Sequence, residues 1–162
     1  MLDVLKALNF ADKEPQLSHR FGVFFLMAGI VPNPIDIRFQ KVSGLSTEVQ
    51  LETINEGGDN VHMLRVPKGV NYGNLVLERG YVASLIPSPL TLEFKAAFNT
   101  LKFLPSNVLV TLFNDNGIPI GGWVFKKAYP VKWSVSTLDA QSDSVIIDTM
   151  ELAYSKVEIM RM

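Results

Sequence analysis

Strict alternation of apolar and polar side chains predicts β-strands along much of this chain. The pattern is clearest from Thr47 to Thr53 and also extends from Ile35 to Val42. Successive side chains of a strand point to opposite faces, so Glu48, Gln50 and Glu52 share one face of the predicted strand. On an ordinary surface these side chains are simply solvated, whereas along a pore they would make the wall hydrophilic and negative.

Further strands are predicted where β-branched, aromatic and aliphatic residues form short runs between turns. Pro130 cannot donate a ladder hydrogen bond, so it predicts a kink or an edge in the strand-forming stretch that begins at Trp123. Asn114 to Gly117 is typical of a tight hairpin turn. The other predicted strands are Phe21 to Met27, Asn74 to Arg79, Val108 to Phe113, Ile118 to Lys127, and a last strand that ends at Tyr154.

One segment carries the signals of an α-helix. Ser88 is predicted as its N-cap and Pro89 as its first helical residue, and Pro105 ends it. Spacings of three and four residues place apolar side chains on one face, namely Leu90, Phe94, Ala97, Phe98 and Leu101. This face indicates packing on a β-core rather than a cofactor site. The chain is therefore predicted to be mainly β, with antiparallel strands and one helix.

The 162 residues fit one β domain, predicted for residues 21–162, preceded by an N-terminal extension over residues 1–20. The extension begins with a short amphipathic segment in which Leu2, Leu5 and Leu8 recur every three residues. Such a segment is too short to form a stable helix alone, so it either docks on another surface or frays.

Composition points towards association with other chains. Hydrophobic residues make up 48% of the sequence and charged residues only 19%, below the roughly 25% of soluble domains. A mean hydropathy of +0.20 is explained either by a β-rich core or by apolar area buried against other subunits, and the second explanation is favoured. The formal net charge of -1 argues against a strongly nucleic-acid-binding surface.

Neither a membrane span nor an export signal is predicted. The longest apolar run, Phe21 to Val31, is well short of the ~20 residues that a spanning helix needs. No small-residue cleavage site follows it, so a buried strand is the better interpretation. We therefore expect the protein to fold in the cytoplasm of the cell that makes it.

Residues suited to catalysis or to metal binding are scarce. The two imidazoles, His19 and His62, have no second ligand at helical or strand spacing, and the chain contains no cysteine. No glycine-rich phosphate loop, nucleophile elbow or zinc-protease motif is present. Asp139 and Asp143 belong to an ordinary turn. We expect a protein that is not an enzyme, with neither cofactor nor metal.

An ordered set of motifs resembles the inner-tube proteins of contractile phage tails and of phage-tail-like injection systems. The motifs are a VSGL turn at Lys41 to Leu45, EGG at Glu56 to Gly58, a long element over Pro67 to Gly80, and the segments Trp123 to Trp133 and Leu138 to Ser142. Their order and spacing match the family. No single motif is diagnostic, and the ordered set carries the resemblance.

The resemblance implies a fold and a function. The implied fold is two packed antiparallel sheets that form a small barrel or sandwich with one flanking helix. Six copies would form a ring, and rings would stack with tube-like paralogues into a hollow conduit. The implied partners are a sheath and the baseplate or spike hub, and cargo or DNA would pass through the lumen without sequence-specific binding. The mature protein would belong to a phage tail or an injection particle.

Two departures from the family pattern bear on which layer of the tube the protein occupies. Gly73 stands where the family usually has proline, and the N-terminal extension is longer than in a plain tube subunit. Both leave the main tube and an initiator ring open as layers, and the extra N-terminal segment would suit contact with a baseplate or a non-identical ring. The alternative hypothesis is a secreted ring-forming carrier of type VI secretion, or a ligand-binding β-barrel.

The resemblance also suggests contact residues, because the loop from Thr53 to His62 reaches neighbouring subunits in the family. That loop is glycine-rich, and Val61 to Val66 leads out of it. The predicted subunit contacts are Glu56, Gly57, Gly58, Asn60 and Arg65 around this loop, and Leu2, Leu5 and Leu8 in the extension. The predicted lumen-facing residues are Glu48, Gln50 and Glu52.

Overall fold

The computed structural model describes residues 20–26, 38–54, 57–58, 63–81, 89–141 and 143–161. These ranges contain nine strands and one helix. The first five strands are β1 (Phe21–Leu26), β2 (Lys41–Ser43), β3 (Thr47–Ile54), β4 (Leu64–Tyr72) and β5 (Leu75–Gly80). The helix α1 (Pro89–Thr100) follows, and then come β6 (Ser106–Phe113), β7 (Pro119–Val135), β8 (Ile147–Ala153) and β9 (Lys156–Arg161).

Two antiparallel sheets share the long strand β7. In the first, which we call sheet I, the strand order is β1-β6-β7-β9; in the second, sheet II, the order is β7-β8-β5-β2. The strand changes sheets near Lys127, whose φ of 54° breaks the extended backbone. A register shift follows between Pro130 and Lys132, where a kink was predicted. The predicted fold class is confirmed.

The core lies between the two sheets and is closed on one side by α1. Leu90, Phe94 and Ala97 of the helix are buried, which confirms the predicted apolar face in these three positions. The prediction was wrong for Leu101, which is 76% exposed and lies just beyond the last helical residue with a φ of 53°. The predicted N-cap, Ser88, lies outside the described residues.

A third pair of strands, β3 and β4, forms a separate hairpin that we call the arm. Proline and glycine weaken a strand pattern, so β4 was not predicted through Pro67 and Gly69. The structure accommodates Pro67 at a register shift, because Gln50 pairs with Gly69 while the next residue, Leu51, pairs with Pro67. The extra residue, Lys68, forms a bulge, one of the few places where a strand accepts proline.

Other strands differ from prediction in extent. The period-two pattern from Ile35 to Val42 yields only the short strand β2, and residues 35–37 lie outside the described ranges. The C-terminal strand β9 was not predicted at all, although it pairs with β7 over six residues. It completes sheet I.

Sheets I and II together with α1 form what we call the body, and a buried ion pair joins several of its elements. Arg79 of β5 donates a hydrogen bond to Asp148 of β8 at 3.2 Å and another to Thr91 of α1 at 2.9 Å. Asp148 also accepts a hydrogen bond from the indole of Trp133 on β7. The two charged side chains are only 14% and 4% exposed. The Asp148 carboxylate on β8 therefore contacts β5 and β7 directly, and it is connected to α1 through Arg79.

Candidate assembly surfaces

The arm has one apolar face, and its opposite face is polar along Glu48, Gln50 and Glu52 but carries the apolar pair Ile54 and Leu64 near the tip. Directly paired residues of neighbouring strands share a face. Val49 pairs with Val70 and Leu51 with Pro67, so these four side chains form the apolar face. On the opposite face, Glu48 pairs with Asn71, Gln50 with Gly69 and Glu52 with Val66. The alternation predicted for β3 is therefore present.

Among the elements that the structure describes, none packs extensively on the apolar face of the arm. Val49, Leu51 and Val70 are 50%, 48% and 51% exposed. Every residue of β3 is exposed, which is unusual for a strand rich in apolar residues. Isolated two-stranded hairpins are marginally stable in water. The arm therefore presents an apolar surface suited to being covered by another protein chain.

The root of the arm is fixed to the body. Tyr72, the last residue of β4, packs on Tyr154 with ring centroids 5.5 Å apart, and Tyr154 meets Phe125 edge to face at 4.8 Å. Burial raises the pKa of Tyr154, and nearby Tyr72 adds to this effect. Gly44 precedes the arm with a φ of 82°, and a Cβ there would lie 1.9 Å from the carbonyl oxygen of Asn74. Only glycine fits at this position.

The outer face of sheet II, which points away from the core, is polar and its charges are paired. Lys132 donates to Glu151 at 2.9 Å, and Lys41 donates to Glu78 at 2.9 Å. The hydrogen bond from Lys132 is the largest of the effects that lower the pKa of Glu151. Asn74 donates to Glu151 at 3.4 Å, which places the polar surface next to the arm.

The outer face of sheet I is apolar by contrast. Phe24, Leu109 and Val124 lie side by side on β1, β6 and β7 in one row across the strands. They are partly exposed and do not pack against the core. The adjacent row contains Gly22, Thr111, Gly122 and Met160. Gly22, Thr111 and Gly122 of this row are buried, and the rings of Phe24 and Phe113 lie over Gly22.

Polar residues border this apolar face along β9. Glu158 accepts hydrogen bonds from Lys126 at 2.7 Å and from Lys156 at 2.9 Å. The hydrogen bond from Lys126, followed by the one from Lys156, lowers the pKa of Glu158. An apolar centre with a charged rim is the usual arrangement of a protein–protein interface.

The predicted contact residues lie in different parts of the chain. Gly57 and Gly58 occupy the turn at the tip of the arm, and Gly58 has a φ of 116°. Arg65 pairs with Thr53 close to this tip, on the same face as Leu51. The remaining predicted contacts lie outside the described residues: Leu2, Leu5, Leu8, Glu56 and Asn60.

Sequence reasoning missed two of these surfaces. The apolar face of sheet I could be recognised only from the register of β1, β6 and β7, because each strand taken alone resembles an ordinary core strand. The paired charges of sheet II join residues as far apart as Lys41 and Glu78. A cross-strand partner is not visible from spacing along one strand.

A small cleft lies between α1 and the rest of the body. Its volume is about 130 Å³, and its lining includes Leu90, Phe94, Leu104 and Pro130. Sites for small molecules usually enclose roughly 300–1,000 Å³. Within the described ranges, no three His, Asp or Glu side chains are grouped as metal ligands. The two histidines lie outside those ranges.

Among the residues that the structure describes, no helix is long and apolar enough to cross a membrane.

Comparison with known proteins identifies the family. A family model described as "T4-like virus tail tube protein gp19" matches residues 17–158, most of the chain. The protein is therefore a structural component rather than an enzyme. It belongs to the T4-like virus tail tube protein gp19 family, as the motifs indicated. A comparison with curated proteins finds no match.

Solved structures agree with this assignment. A chain of the anti-feeding prophage (AFP) baseplate, 6-fold symmetrised, is 41% identical over 92% of this chain and 97% of that chain, with a TM-score of 0.82. A chain of the extracellular contractile injection system PVC sheath-tube complex is 19% identical over 93% and 95%, with a TM-score of 0.76. An Hcp protein shares the fold at 15% identity over 85% and 89%, with a TM-score of 0.51.

Proposed function

We propose that this tail tube protein forms a hexameric ring at the baseplate end of the inner tube of a contractile injection particle. One observation carries the choice of layer. The chain is 41% identical to a chain of the 6-fold symmetrised AFP baseplate, but only 19% identical to a chain of the PVC sheath-tube complex. The likeness to the Hcp protein, at 15% identity, concerns the fold and does not favour the type VI carrier.

The uncovered apolar face of the arm supports assembly from several copies. A surface of this kind on a single chain marks a contact with another protein. A contact between the arm and a different surface of a neighbouring copy is heterologous. Heterologous contacts close into a ring when the rotation between copies divides a full turn.

The polar surfaces support a passive conduit. The polar face of the arm, with Glu48, Gln50 and Glu52, and the outer face of sheet II would border the lumen. The ion pairs of sheet II cancel within each subunit, so this part of the wall offers no charge excess for selecting cargo. Cargo or DNA would therefore pass without sequence-specific binding, while the sheath surrounds the tube.

The N-terminal extension would contact a tube-like neighbour ring or the baseplate hub through Leu2, Leu5 and Leu8. Removing residues 1–12 should leave the circular dichroism and the thermal midpoint of the body nearly unchanged. Co-purification with adjoining tube and baseplate proteins should fall at least about tenfold, as expected when a few buried leucines are lost. A deletion that unfolds the body would show instead that the extension belongs to the core.

The mass of the assembled species tests ring formation through the arm. The wild-type chain should have the mass of six copies at micromolar concentration. Leu51→Asp places a charge on the apolar face and should shift the protein to monomers, because burying an unpaired carboxylate costs several kcal/mol. Its unfolding free energy should change by less than about 1 kcal/mol, since Leu51 is already half exposed.

Gln50→Asp is the matched control, since it introduces the same side chain one residue away on the polar face of the arm. This variant should retain the mass of the ring. A wild-type chain that stays monomeric at micromolar concentration would contradict the proposal. Equal loss of rings in both variants would exclude the apolar face as the contact.

A further inference from the structure

The cleft beside α1 is accompanied by leucine side chains that are almost fully exposed. Leu104 lines the cleft and is 81% exposed, and Leu101, three residues earlier, is 76% exposed. Both follow the last helical residue, and Leu101 has a φ of 53°. A leucine rarely adopts such a φ, and strained residues of this kind concentrate at binding sites. The chain thus holds two leucines in water at an apolar cleft, which is the pattern of a docking site.

We propose that residues 2–8 of the same chain pack in this cleft while the ring is free of its neighbouring layers. The apolar side chains of this N-terminal segment recur at Leu2, Leu5 and Leu8. The inference rests on the proposed function of the extension and adds where its leucines are held before a neighbouring layer binds them. The same leucines cannot occupy both places. The cleft therefore competes with the adjoining ring or hub and holds back stacking until that partner is present.

The cleft has room for one aliphatic side chain. Its volume is about 130 Å³, and an apolar cavity of about 150 Å³ holds one benzene molecule. Phe25, Phe94 and Leu152 line the cleft, so an inserted leucine is surrounded by apolar side chains. The other two leucines of the segment then cover the exposed leucines that follow α1, which removes apolar surface of both partners from water.

The charges of the cleft suit the segment. Lys102 lines the cleft, and its ammonium has no ion-pair partner among the residues that the structure describes. Asp3 lies between leucines of the segment and supplies a carboxylate for it. Glu93, which also lines the cleft, is opposite in charge to Lys6 of the segment. Complementary charges at the rim of a contact fix the orientation in which the apolar side chains enter.

The connection between segment and body matches the distance to the cleft of the same subunit. Arg20 is held at the turn between β6 and β7, where its guanidinium donates to the carbonyl oxygen of Asp115. The strand β1 leads from there to Phe25 at the cleft, a distance of roughly 20 Å. Residues 9–19, taken as a random coil, would span about 18 Å. Effective concentration is highest when the span of a linker matches the separation of the sites, which favours the chain's own cleft over that of another copy.

Other apolar surfaces suit the segment less well. The outer face of sheet I is flat, and the rings of Phe24 and Phe113 already lie over Gly22. The apolar face of the arm is flat as well and serves the ring contact in the proposed function. The cleft provides the concave apolar site that a single leucine side chain needs.

Disulfide trapping within one chain tests the docking, and the absence of cysteine from the sequence makes the readout clean. The double variant Leu5→Cys/Leu104→Cys is assembled into rings and mildly oxidised. A disulfide within one chain should form at least about tenfold faster than in two control variants, because docking holds the two thiols at high effective concentration. In the controls the second cysteine replaces Leu92, which is 51% exposed on the outer side of α1, or Leu109 on the outer face of sheet I.

Co-purification with adjoining tube and baseplate proteins tests the competition. The oxidised Leu5→Cys/Leu104→Cys chain should bind these proteins at least about tenfold less than the same chain after reduction, since the linked segment cannot leave the cleft. The Leu5→Cys/Leu92→Cys control, treated with the same oxidant, should bind equally before and after reduction. Equal binding of the oxidised and reduced Leu104→Cys double variant would overturn the inference.

The outcomes of the trapping separate the docking from the ring itself. Fast linkage within one chain to Leu104→Cys, with slow linkage in both controls, supports the inference. Links between different chains would place the segment on a second copy, and faster linkage to Leu109→Cys would place it on sheet I. Either result, or equal rates in all three variants, overturns the inference and leaves the proposed function intact. Failure of the wild-type chain to assemble would contradict the proposed function, and the same linkage measured on the monomer would still decide the docking.

Discussion

At the scale of single residues, the Asp148 carboxylate holds the body together. It is 3% exposed, accepts a hydrogen bond from Trp133 and pairs with Arg79, which in turn donates to Thr91 on the helix. The ring of Phe39 lies 5.9 Å below the guanidinium of Arg79. These contacts fix the helix and sheet II relative to each other, so the outer faces keep their shape.

Asp148→Asn should destabilise the protein strongly. The substitution removes the carboxylate from the buried pair with Arg79, and breaking a buried pair costs roughly 3–5 kcal/mol. Urea denaturation should show this loss as a lower midpoint with an unchanged slope. Glu151→Gln, which breaks the exposed pair with Lys132, is the control and should cost less than about 1 kcal/mol. Equal effects would mean that the buried pair is not a principal support.

This residue could not be recognised from the sequence alone. Nothing in the local sequence marks Asp148 as buried, and its partner Arg79 lies 69 residues earlier. Burial is decided by the register of β5 and β8, which local patterns do not contain. Gly44 was easier to place, because a Ser-Gly turn was expected there, although its close approach to Asn74 was not.

At the scale of elements, local signals predicted the helix and most strands of the body. Proline at the first turn and apolar spacing placed α1 within a residue of its observed start. The arm was harder to predict, because Pro67 and Gly69 are unusual in a strand and interrupt the pattern of β4. The bulge at Lys68 is what lets β4 include them. The C-terminal strand β9 was missed since nothing in its short sequence separates it from an exposed tail.

Hydrogen exchange of the arm should depend on assembly. In any unassembled form, amides of β3 and β4 should exchange far faster than those of β5 and β8, since the hairpin lacks a covering layer. In rings, the arm amides should gain protection of at least about tenfold, and those at the tip, Gly57 and Gly58, should follow. The strands β5 and β8 serve as the internal control.

Equal protection of the arm in both states would contradict the account. It would mean that the hairpin is an ordinary intramolecular turn, and the contact would have to be sought elsewhere, with the turn from Asp139 to Ser144 as the next place to examine. Faster exchange of β5 or β8 in the unassembled form would show a loosened body instead.

At the scale of the whole molecule, the outer faces of the two sheets differ in polarity. Sheet II is polar with cancelled charges, whereas sheet I is apolar, and the arm adds a second apolar surface. This arrangement explains a hydrophobic content of 48% in a chain of 162 residues without any membrane segment being predicted. Family membership was predictable from the ordered motifs. The difference in polarity between the two outer faces could be recognised only once the strand register was known.

Electron microscopy of the purified chain tests the central claim most directly. The account predicts rings of six subunits around an open centre, formed by the chain alone and lost in Leu51→Asp while retained in Gln50→Asp. Class averages that show only compact single subunits at micromolar concentration, or closed particles without a central channel, would contradict it.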